Sequence, residues 1–135
     1  MDNDVSAIQE VVQQLYASIS FTAEFPPDWE RLRGLFVGPG QLVRNLAQGP
    51  EMLTVDTFQV WVENARGTGL TTFHEEETDS STHLMDTLAH RASHYRATVG
   101  GPKGGTIEGI NSIQLIQCNG GWKILSLAWD VPNPG

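Results

Sequence analysis

The hydrophobic periodicity of this chain changes once, near Leu70, and that change constrains the fold more than any other feature of the sequence. Before it, apolar residues recur every three or four positions, as they do on one face of a helix. After it, Thr, Val, Ile and aromatic residues are enriched and turn-forming residues divide the run into segments. Helices followed by consecutive antiparallel strands indicate an α+β fold with the helices on one face of the sheet.

Three helices are predicted in the first half of the chain. Residues 6–19 carry an apolar stripe at helical spacing. The second helix begins near Asp28, just after two prolines, and ends at Gly38-Pro39-Gly40. The third begins near Thr54 and ends at Gly67, because threonine is a favourable N-cap residue and glycine commonly ends a helix.

The strands of the second half are predicted to be unusually long, above the common limit of about 10 residues. Long strands twist and curve, so a sheet of this kind, closed by helices, encloses a cone-shaped interior. A length of 135 residues suits one domain over 1–135. The predicted strands are 41–46, 70–84, 87–99, 106–118 and 121–131.

The register of the last hairpin decides which side chains face the interior. Asn119-Gly120-Gly121 predicts a tight turn, because Asn and Gly tolerate positive φ. With a two- or four-residue loop, Leu127 and Trp129 share the inner face with Ser112 and Gln114. A three-residue loop reverses this assignment, and we favour the first register.

In the favoured register, the outer face of the sheet keeps several apolar side chains. Ile113, Leu115, Ile124 and Ala128 would all lie there. An exposed apolar sheet face is typical of an interface, so we expect a homodimer that packs through the outer sheet face.

Composition excludes two classes of partner. Sixteen acidic residues against eight basic ones give a formal charge of −8. Nucleic acids and anionic membranes both bind proteins through basic surfaces. We therefore expect no nucleic acid and no membrane as partner. Cys118 is the only cysteine, and we see neither a long apolar run nor a signal peptide, so a cytoplasmic location is expected.

Several motifs resemble one known superfamily. The most specific are the segment from Gly109 to Leu115, then Gly120-Gly121-Trp122-Lys123-Ile124, then Ala128-Trp129-Asp130. Phe73-His74-Glu75 and Ala89-His90 with Tyr95 are similar to an uncharacterised branch of the same superfamily. Together with the order of elements, they resemble the nuclear transport factor 2-like superfamily, which includes SnoaL-like polyketide cyclases, ketosteroid isomerases, scytalone dehydratase and limonene epoxide hydrolase. The resemblance covers nearly the whole chain. It implies a cystatin-like cone, with three N-terminal helices packed on a curved antiparallel sheet, and leaves the chemistry open.

The catalytic positions of these relatives are mostly not matched. The tyrosine of ketosteroid isomerases aligns with Leu15, one residue from Tyr16, and their two aspartates align with Asn45 and Gln114, which cannot exchange a proton usefully. The epoxide hydrolase pattern needs an Asp two residues from Arg91, and none is there. The resemblance thus argues against both of these mechanisms.

The candidate acid/base residues are Glu75 and His74. Alternation sends Glu75 to the same side as Phe73, and a carboxyl group in an apolar cone has a raised pKa that suits a general acid or base. His74 is the alternative if the register is reversed. On the inner face, Arg91 could pair with Glu75 or bind a ligand carboxylate, and Tyr95 could donate a hydrogen bond.

The remaining predicted site residues would shape a pocket for a flat, apolar ligand. Aromatic residues would form its walls and polar ones would orient the ligand: Trp29, Phe58, Trp61, Phe73, Tyr95 and Trp129, with Tyr16, Asn45, Ser112 and Gln114. His90 and His94 are about 13 Å apart on a strand, too far for a shared metal.

Two functions follow from this site. One is a cofactor-free lyase, isomerase or cyclase that acts on a small hydrophobic molecule by proton transfer. The other is a non-catalytic ligand-binding or dimerisation module, in which the same aromatic residues form only a core.

Overall fold

A computed structural model describes residues 2–102 and 104–131, and its element order agrees with the α+β prediction. Asp28 caps the second helix by accepting a hydrogen bond from the backbone of Arg31, and Thr54 caps the third within a capping box. The described elements are α1 (Asp2–Ile19), α2 (Trp29–Leu35), β1 (Leu42–Leu46), β2 (Gly49–Leu53), α3 (Val55–Gly67), β3 (Thr72–Met85), β4 (Leu88–Gly100), β5 (Gly105–Cys118) and β6 (Gly121–Asp130).

The six strands form one curved sheet in the order β2-β1-β6-β5-β4-β3. The predicted curved antiparallel sheet is confirmed for β3 to β6 and for the pair of β1 and β2, whereas β1 and β6 run parallel, so the sheet as a whole is mixed. β2 was not predicted, because its Gly-Pro start argues against a strand. Proline is tolerated there since β2 is the edge of the sheet.

The first helix is four residues longer than predicted and begins at Asp2. Its apolar stripe, with Ile8, Val12 and Leu15 fully buried, packs against β3 and α2. The side chain of Trp122 donates to Asp4 at 3.2 Å and so ties the start of α1 to β6. The loop predicted at 100–105 is a turn and bend at Gly101 and Pro102, position 103 being outside the described residues.

The register favoured for the last hairpin is wrong. The turn is the expected two-residue loop, since Cys118 pairs with Gly121. A β-bulge then adds Leu125 to β6, and beyond it Ile113 pairs with Leu127. One inserted residue reverses the faces, just as a three-residue loop would. Ile113, Leu115 and Ile124 are therefore fully buried in the core.

A second bulge lies in β3, where pairing shifts between Glu77 and Asp79. Bulges bend strands and increase their twist, so the two bulges together curve the long strands around the helices. The inner side of this curve carries the core, and its open end, near the C-terminal end of α1 and beside α3, holds the candidate site.

Candidate functional site

A cavity of about 280 Å³ lies between the inner face of the sheet, α3 and the end of α1. This is near the lower limit of about 300 Å³ for small-molecule pockets, so it suits a small ligand. Its wall is largely apolar and includes five of the predicted aromatic residues. The apolar part comprises Ile19, Phe21, Phe58, Trp61, Val62, Leu70, Phe73, Tyr95, Ala97, Ile107, Leu127, Trp129 and Val131.

Three polar side chains reach the same wall: Arg44, Glu75 and Asn111. They come from β1, β3 and β5, so three separate strands contribute one polar group each. A few polar groups on an apolar wall are typical of a site that orients a ligand.

Glu75 lies on the same side of β3 as Phe73, as alternation predicts, and is 9% exposed. Its backbone N–H donates to Ser20 Oγ at 3.0 Å, which anchors β3 to the end of α1. No residue in the described ranges donates a hydrogen bond to its carboxyl group. Burial raises the pKa of Glu75 to about 8, because the apolar wall disfavours the charged form. At neutral pH the group is therefore mostly a carboxylic acid.

Tyr95 is the second inner residue that can act on a ligand. It pairs with Glu77 across β3 and β4, so it is a diagonal neighbour of Glu75. The Cα atoms of such neighbours are about 7–8 Å apart. Its ring lies over Gly109, where an added Cβ would approach the hydroxyl oxygen to 2.7 Å. Burial, with smaller contributions from Glu75 and Asp130, raises the pKa of Tyr95, so its hydroxyl stays a hydrogen-bond donor.

Behind the cavity, a buried polar chain runs from Asn111 through Tyr16, Ser93 and Glu77 to Arg91. The direction of each bond follows from the salt bridge between Glu77 and Arg91, because a carboxylate in such a pair can only accept. Ser93 donates to Glu77 at 2.5 Å, Tyr16 therefore donates to Ser93 at 2.6 Å, and Asn111 donates to Tyr16 at 3.0 Å. Burial raises the pKa of Tyr16 to about 12, which keeps this proton in place.

Arg91 ends the buried polar chain and does not pair with Glu75 as the sequence suggested. It donates twice to Glu77, at 3.0 and 2.6 Å, and once to Thr82 at 2.8 Å. Its side chain is 2% exposed and does not line the cavity. The prediction that Tyr16 orients a ligand is also wrong, because its hydroxyl group donates its proton to Ser93 and has none left to donate to a ligand.

Arg44 projects from the inner side of β1 and was not predicted. Its guanidinium carbon lies 4.2 Å from the centre of the Trp61 ring, and its Nη1 donates to Glu51 at 2.5 Å. Its Nε is buried and has no hydrogen-bond partner within residues 2–102 and 104–131. Arg44 lies on the same face of β1 as Leu42 and Leu46, and this shared parity with two leucines was the signal that could have placed it inside.

Ser112 and Gln114 were predicted to face the ligand, and this is wrong. The bulge at Leu125 turns both to the outer face, where Ser112 contacts His90 and Gln114 accepts a hydrogen bond from Ser126. The same shift brings Asn111 inside, together with Ile113 and Leu115, which the favoured register had placed on the outer face. Asn111 thus takes the position of a polar pocket residue on β5.

Three other predicted residues also lie away from the cavity. His74 alternates with Phe73 and Glu75, so its side chain is 67% exposed. Asn45 is on the outer side of β1 and donates to Asp130 at 2.8 Å. Trp29 packs edge-on against Phe58 at 6.0 Å and supports the wall from behind.

The outer sheet face does not carry the apolar residues from which a homodimer was predicted, because Ile113, Leu115 and Ile124 are core residues. A different set of apolar residues is exposed on that face: Ile110 at 52%, Met85 at 47% and Leu88 at 43%.

No three His, Cys, Asp or Glu side chains in residues 2–102 and 104–131 converge as a metal site would require. Within the same ranges, every helix is too short or too polar to span a bilayer.

Comparison with known proteins gives structural matches only. No family model matches the sequence, and no curated protein does. Among solved structures, a cystatin-like protein of unknown function from Nostoc punctiforme superposes with a TM-score of 0.73 at 14% identity, covering 99% of this chain and 95% of that one. An NTF-2-like protein of unknown function from Silicibacter pomeroyi gives 0.64 at 16% identity, with 95% of each chain covered.

A third match is the hexachlorocyclohexane dehydrochlorinase LinA-type3 from Novosphingobium barchaimii. Its TM-score is 0.75 at 13% identity, covering all of this chain and 96% of that one. Identities this low establish the fold and leave the activity open. The chain therefore has a cystatin-like α+β cone, the fold that these solved structures share with it.

Proposed function

We propose that the chain binds a small hydrophobic molecule in the cone and moves a proton at one of its carbon atoms, with Glu75 as the acid/base. The observation that carries this proposal is a buried carboxyl group, without a salt-bridge partner in the described residues, on an otherwise apolar cavity wall. Such a group costs free energy in the folded state, and perturbed carboxyl groups of this kind cluster at functional sites.

Proton transfer would use two residues. The ionised Glu75 takes a proton from a carbon next to a carbonyl group, and the electron pair of that C–H bond moves onto the carbonyl oxygen. The Tyr95 hydroxyl donates a hydrogen bond to this oxygen while its charge develops. Glu75 then returns the proton to the same or a neighbouring carbon, so no cofactor is needed.

The fold neighbours are compatible with chemistry of this kind. One of them is named a dehydrochlorinase of hexachlorocyclohexane, and loss of hydrogen chloride from a small apolar ring also requires removal of a proton from carbon. This supports the reaction class for the cone in general, while Glu75 is the residue of this chain that we propose for it.

The test is carbon–hydrogen exchange with a small bicyclic ketone, β-tetralone, in deuterium oxide, followed by proton NMR. We expect saturable exchange above the buffer rate, rising with pH through about 8 as Glu75 ionises. Glu75→Gln should lower it about 100-fold, since positioned acid/base groups contribute roughly that much.

The matched control is Glu76→Gln, which changes the next residue of the same strand on the exposed side. It should leave exchange unchanged. If β-tetralone raises the melting temperature but Glu75→Gln exchanges as fast as the wild type, or if no exchange occurs at all, the non-catalytic binding module replaces the enzyme.

We also propose a homodimer through the outer sheet face, now on the exposed residues Ile110, Met85 and Leu88. Size-exclusion chromatography with light scattering should give twice the monomer mass. Leu88→Lys should shift the protein toward monomer, because Leu88 pairs with Met85 across β3 and β4 and a lysine is costly to bury in an apolar interface. A monomeric wild type would contradict the proposal.

A further inference from the structure

The cavity has two polar ends, and the strand order separates them. Glu75 belongs to β3 and Arg44 to β1, with β4, β5 and β6 between them in the sheet. Burial alone raises the pKa of Glu75, which is consistent with Arg44 lying too far away to offset it. A ligand that fills the cavity would therefore meet a proton-transfer group at one end and a cation at the other.

Arg44 is held in a way that leaves one edge of its guanidinium group unused. Nη1 donates to Glu51, whose side chain is 44% exposed at the rim of the sheet. The ring of Trp61 covers one face of the group at 4.2 Å. The edge that does not contact Glu51 consists of Nε and Nη2, and Nε is buried without a hydrogen-bond partner in the described residues.

A buried donor without an acceptor is destabilising, so the structure gains free energy when an acceptor occupies this edge. The parallel N–H bonds of an arginine edge match the two oxygens of a carboxylate, and a water molecule matches them poorly. Around neutral pH, Glu75 is mostly uncharged, and Arg44 is then the ionised side chain on the cavity wall.

Resting on the proposed function, we propose that the ligand is an anionic aryl or cyclic carboxylate. Its carboxylate binds the Nε and Nη2 edge of Arg44, and its ring lies against Trp61 and Trp129. The carbon that exchanges its proton is then at the far end of the molecule, toward Glu75. Glu51 competes for the same guanidinium group from the solvent side and limits the affinity.

Calorimetry with a matched pair of probes, β-naphthoate and its neutral amide β-naphthamide, tests this on the wild-type chain. We expect the carboxylate to bind at least about 10-fold more tightly, as a bidentate charged contact should provide. Arg44→Met should remove the preference, and Arg44→Lys should reduce it. Glu51→Gln should strengthen naphthoate binding, because the competing anion is gone.

The control is Arg96→Met, which removes an arginine paired with Glu108 on the exposed face and should change neither affinity. Equal affinities for the two probes, or no saturable binding of naphthoate, would overturn the inference. Proton transfer is read separately from the exchange of neutral β-tetralone by Glu75→Gln. If Glu75→Gln loses that exchange but the wild type does not prefer naphthoate, only the carboxylate proposal is contradicted. If the wild type prefers naphthoate but Glu75→Gln exchanges as fast as the wild type, only the proposed enzyme activity is contradicted.

Discussion

Replacing Glu75 with glutamine is expected to make the protein more stable at alkaline pH and to leave it unchanged at acid pH. The carboxyl group has a pKa of about 8 in the folded chain, against an ordinary value of 4.5. Glutamine has the same shape as the protonated acid but cannot ionise. The variant therefore keeps the contacts of the neutral side chain and loses the cost of placing a charge in the apolar wall.

The sign follows from proton binding. Between pH 4.5 and about 8 the folded chain holds a proton on Glu75 that the unfolded chain has released, so the free energy of unfolding falls as pH rises. The stabilising contribution is complete below 4.5 and is lost by about pH 8. A shift of this size corresponds to roughly 4–5 kcal/mol at 1.36 kcal/mol per pKa unit.

Urea unfolding of the wild type and the variant across pH 4 to 9 measures this difference directly. The two curves should coincide at acid pH and separate progressively above it, with the variant more stable. Glu76→Gln, on the exposed side of the same strand, should follow the wild type throughout. Parallel curves for Glu75→Gln would mean that the carboxyl group is already ionised in the folded state.

The fold was predictable because its main signals are local. The change from helical to strand spacing near Leu70, the cap residues Asp28 and Thr54, and the Asn119-Gly120 turn each specify a nearby backbone conformation. The β2 strand was missed for the opposite reason. Its Gly-Pro start is a poor strand signal, and only its place at the sheet edge makes it acceptable.

The site was only partly predictable, because a single bulge decides which polar residue of β5 lines the cavity. Alternation along β3 was enough to place Glu75 beside Phe73. For β5, however, the extra residue Leu125 in the neighbouring β6 turns Asn111 inward and Ser112 and Gln114 outward, and nothing in the local sequence marks that insertion. The alternation of side chains predicts which residues of one strand share a face. It cannot assign faces to the next strand of a hairpin when a bulge between them is not visible in the sequence.

Glu77→Gln is expected to destabilise the fold strongly, although Glu77 lies outside the cavity. Glu77 is the only described acidic residue that contacts Arg91, whose side chain is 2% exposed. Removing its charge leaves a buried guanidinium without a counter-ion and weakens the acceptor that orients Ser93 and Tyr16. Breaking a buried pair in this way typically costs about 3–5 kcal/mol.

The double variant Glu77→Gln, Arg91→Met separates the charge pair from the rest of the polar chain. With both charges gone, the glutamine oxygen can still accept from Ser93, so the double variant should recover about 2 kcal/mol relative to the sum of the single changes. Glu108→Gln, in the exposed pair with Arg96, should cost less than about 1 kcal/mol. Additive losses for Glu77 and Arg91 would show that the two side chains do not stabilise one another.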